Sequence, residues 1–376
     1  MRPYLFLRLD SFSKDTNVIL GTFTLFSVIF SVDNLKRYSI ILKKILPYDS
    51  VLIFLRIIDM ATVNETDFSD IYVIPDGSAY IWGKRTACGL IPVMPDDYAE
   101  FYQALKSTYK DNPSYLLKYK GRNYRVERTV TLDGQQFCAR KMPDTIPDIN
   151  KLGVDEKLLR YLLSLSSASG LLLVAGTTGS GKTTTLSALL REWLVKEGGY
   201  AFTLEDPIEM PLDGTYKTIH GELGICKQMT PPNGSWQDGL KSMLRSKPRY
   251  VYLGEIRDPA VASESLRAAI SGHLVLSTIH AATVSDAIQS VVKYAAASGI
   301  SEEMSYDLVG NGILGVLHQT LVGVPKRPKI EFVFANPDAS AGDQVRGIIK
   351  SGKINLATTI ESQKARLQRG IPLFDI

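Results

Sequence analysis

The chain has 376 residues, of which 45% are hydrophobic and 22% are charged. This length suffices for about two or three domains with buried cores, and the composition excludes wholesale disorder, collagen and coiled coils. Lys and Arg total 43 against 39 Asp and Glu, and the resulting net charge of +4 gives no support for a strong nucleic-acid-binding surface.

The cysteines and histidines are few and widely spaced. Cys88, Cys138 and Cys226 form no CxxC pair, and the four histidines include no HExxH motif. The spacing therefore supports neither a cysteine-rich zinc site nor a disulfide framework. An odd, low number of cysteines is typical of a reducing cytosol.

The amino-terminal residues 1–45 contain an apolar stretch, Thr16–Val32, which carries no charge between Asp15 and Asp33. A membrane-spanning helix needs about 20 apolar residues, and a signal peptide needs positive charge before its apolar run. We favour a buried hairpin or a marginal core segment here. A membrane contact and an unstructured extension are the alternatives.

Residues 46–145 carry the pattern of a small α+β domain. Ser50–Met60 has helical apolar spacing, and a second helix is expected over Asp96–Tyr109. Turns at Pro75–Ser78 and Asp133–Gly134 lie between β-rich segments, which predicts two hairpins.

Residues 146–376 follow a proline-containing linker and alternate helical patterns with short apolar strands. The predicted strands are Leu171–Ala175, Tyr200–Leu204, Tyr250–Leu253 and Leu274–Thr278. Strands that alternate with helices predict an α/β fold with a parallel sheet. The tail from Asp338 onward shows helical and no strand patterns.

The segment Gly176–Thr183 has the sequence GTTGSGKT, which fits the phosphate-binding loop pattern G-x-x-x-x-G-K-[ST]. A predicted strand precedes it and a predicted helix follows it, as this motif requires. Backbone amides and the helix N-terminus would hold the phosphates, Lys182 would reach the β/γ-phosphates, and Thr183 would be a ligand of Mg²⁺. The expected nucleotide contacts are Gly176, Thr178, Gly179, Ser180, Gly181, Lys182, Thr183 and Thr184.

Three further strands end in polar residues. Glu255 follows Tyr250–Leu253, Glu205 follows Tyr200–Leu204, and His280 follows the last strand. Because parallel strands deliver side chains at their carboxyl ends, these residues are candidates for the same site. Glu255 would contribute to the Mg²⁺ shell or activate water. Taken singly, each residue also fits a purely structural role: Glu255 as a hydrogen-bonded carboxylate at a strand end, Glu205 as part of a solvated acidic turn, and His280 as a packed or surface histidine.

These segments resemble the ATPases of the secretion superfamily, which serve type II and type IV secretion, type IV pili and conjugation. Gly176–Thr183 is similar to the family's Walker A and Leu204–Glu209 (LEDPIE) to its Asp box. Tyr250–Asp258 (YVYLGEIRD) resembles its atypical Walker B, and Ser271–His280 (SGHLVLSTIH) resembles its His box.

The PilT/DotB/TraJ-like branch fits best, because the tetracysteine element of the loading ATPases is not apparent. Four segments resemble that branch: Asp67–Val73, Tyr124–Val126, Arg140–Pro143 and Val345–Lys353. Residues 1–45 have no counterpart, Met229–Trp236 is expected to be an extra loop, and Ala281 replaces the family's threonine after His280.

The resemblance implies a RecA-like core with a PAS-like N-terminal domain, which bind ATP and Mg²⁺ between them. It implies a homohexamer, cytoplasmic and peripheral on the inner membrane through secretion or pilus platform proteins, with no direct nucleic-acid contact. Glu255 would polarise the water, Glu205 would support it and His280 would sense the γ-phosphate. Arg125 and Arg140 would be supplied by a neighbouring subunit, or they are part of a solvated strand face.

The predicted function is ATP hydrolysis that powers a type IV secretion or conjugation machine. A PilT-like pilus retraction ATPase is the nearest alternative. A DNA-translocating RecA-like motor and a nucleotide-binding scaffold without catalysis are alternatives of other classes.

Overall fold

A computed structural model describes residues 62–82, 90–92, 95–108, 113–338 and 342–374. The predictions for Thr16–Val32 and Ser50–Met60 lie outside these ranges. The described residues form two sheets, one within residues 70–141 and the other within residues 170–334. The predicted domain boundary between residues 145 and 146 lies in the segment between the sheets.

The first sheet has the strand order β3-β2-β1-β6-β5-β4, and its pairs are antiparallel. Its strands are β1 (Asp70–Val73), β2 (Ala79–Trp82), β3 (Ile91–Pro92), β4 (Ser114–Tyr119), β5 (Arg122–Thr131) and β6 (Gly134–Lys141). Helix α1 (Tyr98–Thr108) covers one face of this sheet and buries Phe101 and Leu105 against it. The two predicted hairpins and the second predicted helix are therefore present, whereas β4 was not predicted.

The second sheet has the order β14-β13-β7-β12-β11-β8-β10-β9. Its strands are β7 (Gly170–Ala175), β8 (Gly199–Leu204), β9 (Gly214–Lys217), β10 (Leu223–Met229), β11 (Tyr250–Leu253), β12 (Leu274–Ile279), β13 (Ile313–Val322) and β14 (Arg327–Phe334). The six inner strands run parallel, and the two outer strands pair antiparallel with their neighbours.

Helices surround the second sheet. They are α2 (Glu156–Ser164), α3 (Lys182–Lys196), α4 (Trp236–Arg245), α5 (Pro259–Ile270), α6 (Val284–Ala297), α7 (Glu302–Gly312), α8 (Gln344–Lys350) and α9 (Ala357–Gln368). Every residue of β7, β11 and β12 is buried, because helices cover both faces of these strands. The helices α8 and α9 confirm the helical prediction for the described part of the tail.

The expected α/β fold with a RecA-like core is confirmed. The four predicted strands are β7, β8, β11 and β12, which are the central strands that carry the candidate site. The predicted loop Met229–Trp236 contains a 3₁₀ turn, Pro232–Gly234, between the last residue of β10 and the first residue of α4. In the described part of the chain, every helix is too short or too polar to cross a membrane.

Candidate active site

The phosphate-binding loop connects the end of β7 to the start of α3. Gly176 and Gly181 have φ angles of 149° and 84°, a region that side chains with a Cβ rarely adopt. A Cβ at Gly176 would also overlap the backbone oxygen of Gln319 on the neighbouring strand β13. The loop therefore needs glycine at this position for both its conformation and its packing.

The ammonium group of Lys182 is buried inside this loop. Its Nζ donates hydrogen bonds to the backbone oxygens of Gly176 at 2.9 Å and Thr177 at 3.0 Å. Burial lowers the pKa of Lys182, while the negative charges of Glu255 and Glu209 act in the opposite direction. A bound phosphate group beside this amine would place a negative charge next to it and so favour its charged form.

A cavity of about 190 Å³ lies next to the loop, at the carboxyl ends of the central strands. It is lined by Arg125, Thr183, Glu205, Asp206, Pro207, Glu209, Trp236, Tyr252, Gly254, Glu255, Arg257 and Thr278. The sheet order explains this convergence, because β12, β11 and β8 follow β7 as successive neighbours and run in the same direction. Thr183, Glu205 and Glu255, predicted from three separate segments, therefore meet in one place.

Glu255 lies at the end of β11 and pairs with His280 from the end of β12. The distance from His280 Nε2 to Glu255 Oε1 is 3.3 Å, and both side chains are partly exposed. The Thr278 hydroxyl donates to the backbone oxygen of Gly254 at 2.7 Å and so ties the two strand ends together. The carboxylate is thus held at the rim of the cavity, where solvent reaches it.

Glu205 occupies a different environment, because its side chain is buried. Its Oε1 accepts hydrogen bonds from the Thr203 hydroxyl at 2.7 Å and from Gln228 Nε2 at 2.9 Å. Burial raises the pKa of Glu205 to about 7, although both hydrogen bonds lower it. Glu205 therefore binds a proton more readily than an exposed glutamate does.

Gln228 also holds the acidic segment that follows β8. Its Oε1 accepts from the backbone amides of Leu212 and Asp213 at 2.8 Å, and its Nε2 donates to the backbone oxygen of Met210 at 3.0 Å. This residue was not predicted, because β10 was not predicted as a strand. The segment Leu223–Met229 (LGICKQM) does not alternate apolar and polar residues, so no sequence pattern indicated this strand.

Arg125 and Arg140 are directly opposite each other in the β5–β6 pair, and Asp70 is opposite Arg140 in the next pair. The three residues therefore form a row on one face of the first sheet. Arg125 lines the cavity within its own chain. Arg140 Nε lies 2.7 Å from Asp70 Oδ1, and its side chain is 60% exposed. The expected contribution of the two arginines to a neighbouring subunit stays a prediction.

The residues present fit a nucleoside triphosphate with Mg²⁺. The buried Ser180 hydroxyl has no hydrogen-bond partner among the described residues, which leaves a polar atom in the loop for a ligand. Thr183 and Glu255 bring hard oxygen donors to the same cavity, the ligand type that Mg²⁺ prefers. Among the described residues no cluster of three His, Cys, Asp or Glu residues forms a metal site built from protein alone. Mg²⁺ that takes some of its ligands from bound phosphates needs no such cluster of protein side chains.

Comparison with known proteins places the chain in a family. The family Type II/IV secretion system protein matches residues 116–356, which include both the phosphate-binding loop and the cavity. The chain belongs to this family.

Curated relatives come from competence, pilus and motility systems. The chain is 35% identical over 188 residues to the competence protein ComGA of Bacillus subtilis, a match covering 49% of this chain and 50% of that protein. It is 37% identical over 159 residues to the type IV pilus assembly ATPase TfpB of Acinetobacter baylyi, covering 42% and 26%. A twitching motility protein of Neisseria gonorrhoeae is 27% identical over 241 residues, covering 63% and 60%. The chain thus spans about half or less of the length of the first two relatives.

Two solved structures share the fold. The pilus retraction motor PilT with bound ADP superimposes with a TM-score of 0.62 at 23% identity, covering 82% of this chain and 88% of that one. The ATPase DotB of Legionella pneumophila has the same TM-score at 22% identity, covering 81% and 89%. At this level of identity the likeness shows the fold alone.

Proposed function

We propose that this chain is an ATPase that converts ATP and water into ADP and phosphate. The observation that carries the proposal is the cavity in which Thr183, Glu205 and Glu255 meet beside the buried amine of Lys182. Phosphoryl transfer depends on positioning and on neutralising charge, and these residues supply both. The family's relatives include a named pilus assembly ATPase, which supports the same activity.

Each residue has a role that follows from its place. The loop amides and Lys182 hold the triphosphate, and Thr183 with Glu255 supplies oxygen ligands for Mg²⁺. When bound, Mg²⁺ neutralises phosphate charge and orients the reacting group. Glu255, partly exposed at the cavity rim, orients the attacking water and accepts its proton. His280, 3.3 Å from Glu255, senses the end of the triphosphate.

Glu205 supports this reaction from the buried side of the cavity. Because its pKa lies at about 7, it accepts or releases a proton near neutral pH. Its hydrogen bonds to Thr203 and Gln228 fix one carboxyl oxygen, and the residue lines the cavity. Glu205 therefore acts as a second proton acceptor behind Glu255.

Phosphate release by the full chain with Mg²⁺ and ATP tests the activity. We expect Lys182→Ala to abolish turnover and ATP binding. Glu255→Gln should keep ATP binding, measured by calorimetry, and lower kcat by at least about 100-fold, as for loss of a general base. Glu264→Gln is a matched control, because Glu264 lies on α5 outside the cavity and pairs with Arg267 among the described residues. Normal hydrolysis by Glu255→Gln would contradict the role assigned to Glu255.

We further propose that the chain forms a homohexameric ring that powers a type IV secretion or conjugation machine at the inner membrane. The fold shared with DotB supports this proposal. Pilus retraction is the second candidate, because PilT superimposes with the same TM-score. Deletion of the gene separates the two candidates: loss of DNA or effector transfer supports the first, and loss of pilus retraction with intact transfer supports the second.

A further inference from the structure

Gln319 lies on β13, next to the strand that leads into the phosphate-binding loop. His318 is the register partner of Ala175, the last residue of β7, so Gln319 stands beside Gly176 at the loop's first position. Its side chain is buried, with 1% exposure. The sequence motifs of the family resemblance do not include this residue.

Both polar atoms of the Gln319 amide bind the far end of the loop. Its Nε2 donates to the backbone oxygen of Ser180 at 2.7 Å, and its Oε1 accepts from the Thr185 hydroxyl at 2.9 Å. The opposite amide orientation would place Oε1 against the Ser180 oxygen, and two acceptors repel each other. The Ser180 oxygen therefore fixes the orientation of the amide, and Thr185 reinforces it.

This arrangement determines where one amide hydrogen of the loop points. In a trans peptide unit the C=O and the following N–H point in opposite directions. Since the Ser180 oxygen points at Gln319, the N–H of Gly181 points away from Gln319 and from β13. Gly181, with a φ angle of 84°, leaves this peptide unit little resistance of its own to rotation.

We propose that Gln319 is a positioning residue for nucleotide binding: it locks the Ser180–Gly181 peptide so that the Gly181 amide faces the phosphates. The proposal rests on the ATPase function proposed above. The close approach of Gln319 Nε2 to the loop, 3.0 Å from where a Cβ of Gly181 would lie, shows how little space this peptide has to move. Without Gln319 the peptide unit would rotate among several orientations, and nucleotide would have to select one of them.

The test measures the Kd of the full chain for Mg·ATP by calorimetry. Gln319→Met conserves volume but removes both hydrogen bonds, and we expect it to raise the Kd about tenfold or more. The kcat at saturating ATP should stay within about threefold, because uniform binding is lost rather than transition-state stabilisation. Thr320→Val, one residue along β13 and half-buried, is the matched control and should leave the Kd unchanged.

A double-mutant cycle then separates positioning from general packing. Thr185→Val should raise the Kd by less than Gln319→Met and should have no further effect in the Gln319→Met background. Thr185→Ser keeps the hydroxyl that Thr185→Val lacks, and its Kd for Mg·ATP should equal that of the wild-type chain. Hydrogen exchange without nucleotide should be faster at the Thr185 amide, which donates to the backbone oxygen of Gly181 at 3.0 Å, in both Gln319→Met and Thr185→Val.

A Kd within twofold of wild type in Gln319→Met would overturn the proposal. So would affinity losses that follow the unfolding temperature of each variant, because these would indicate packing alone. If Gln319→Met does not fold, the Thr185→Val and Thr185→Ser pair decides in the same way. Absence of ATP binding by the wild-type chain would instead overturn the proposed function, and unchanged exchange at the Thr185 amide would then overturn the role of Gln319 as well.

Discussion

Two carboxylates in one cavity, Glu205 and Glu255, differ in burial and therefore in the work that they can do. Glu255 is partly exposed beside His280, whereas Glu205 is buried and its pKa is raised to about 7. A glutamate in the unfolded chain has a pKa near 4.5, so the folded state holds an extra proton between these values. The stability of the folded chain should therefore fall as the pH rises through this window.

Glu205→Gln tests this at the residue scale. The amide retains an oxygen acceptor for Thr203 and Gln228 but carries no charge at any pH. We expect the stability of the variant relative to wild type to rise by up to about 3 kcal/mol between pH 5 and pH 8. Thermal unfolding at both pH values measures the effect, with Glu264→Gln as the control for a partly exposed carboxylate outside the cavity. A constant difference across this range would show that burial does not raise the pKa of Glu205.

The residues of the site divide by the kind of information that identifies them. The loop residues and Glu255 were predicted because each belongs to a local pattern, a glycine-rich turn or a buried strand that ends in a carboxylate. Gln228 binds Glu205, which lies 23 residues away in the chain, and Gln319 binds Ser180, which lies 139 residues away. No local pattern encodes such a contact, so only the sheet order could reveal them.

At the scale of elements, the packing of α3 on β10 depends on a glycine without unusual dihedral angles. A Cβ at Gly224 would overlap the backbone oxygen of Leu194 near the end of α3, and a backbone atom cannot move aside as a flexible side chain can. Gly224→Ala should destabilise the chain by about 1–3 kcal/mol, as overpacking does. Gly347→Ala in the exposed part of α8 meets no atom within 4 Å and should stabilise it by about 0.5–1 kcal/mol.

Chemical denaturation of the two alanine variants measures both effects. Equal changes in the two variants would contradict the argument from packing, because only one of the two sites is crowded.

The central strands were predictable and the outer strands were not, for a physical reason. Strands β7, β11 and β12 are buried on both faces and therefore appear as continuous apolar runs. Strand β9 is a four-residue segment that starts with Gly214, and β13 has three consecutive polar residues, His318, Gln319 and Thr320, within its apolar run. Such strands form because an existing sheet offers hydrogen bonds, which a single segment does not encode.

At the scale of the whole molecule, the proposed ring predicts that one chain completes the site of another. Arg140 is 60% exposed on the first sheet, bound by Asp70 but reachable from outside. If Arg140 serves a neighbouring subunit, a mixture of inactive Arg140→Ala chains and inactive Glu255→Gln chains should recover turnover. Mixing Lys182→Ala with Glu255→Gln is the control and should recover none, because both changes damage the site of their own chain.

Phosphate release is measured after the chains are mixed at a concentration where sizing shows a hexamer. No recovery from the Arg140→Ala mixture would remove Arg140 from the neighbour's site. Arg140→Lys, which keeps a cation for Asp70, separates that result from damage to the first sheet.

The two outer strands of the large sheet have a consequence for handling the protein. Along β14 the exposed residues Arg327, Lys329 and Glu331 alternate with others, and Pro328 offers no backbone N–H. At the other border β9 spans only four residues. Edge strands that are short, charged or interrupted by proline resist the edge-to-edge pairing that leads to fibrils and precipitates. The protein should therefore resist β-aggregation through β14 and β9 in concentrated solution. Self-association then has to use contacts between side chains instead of backbone pairing at these edges.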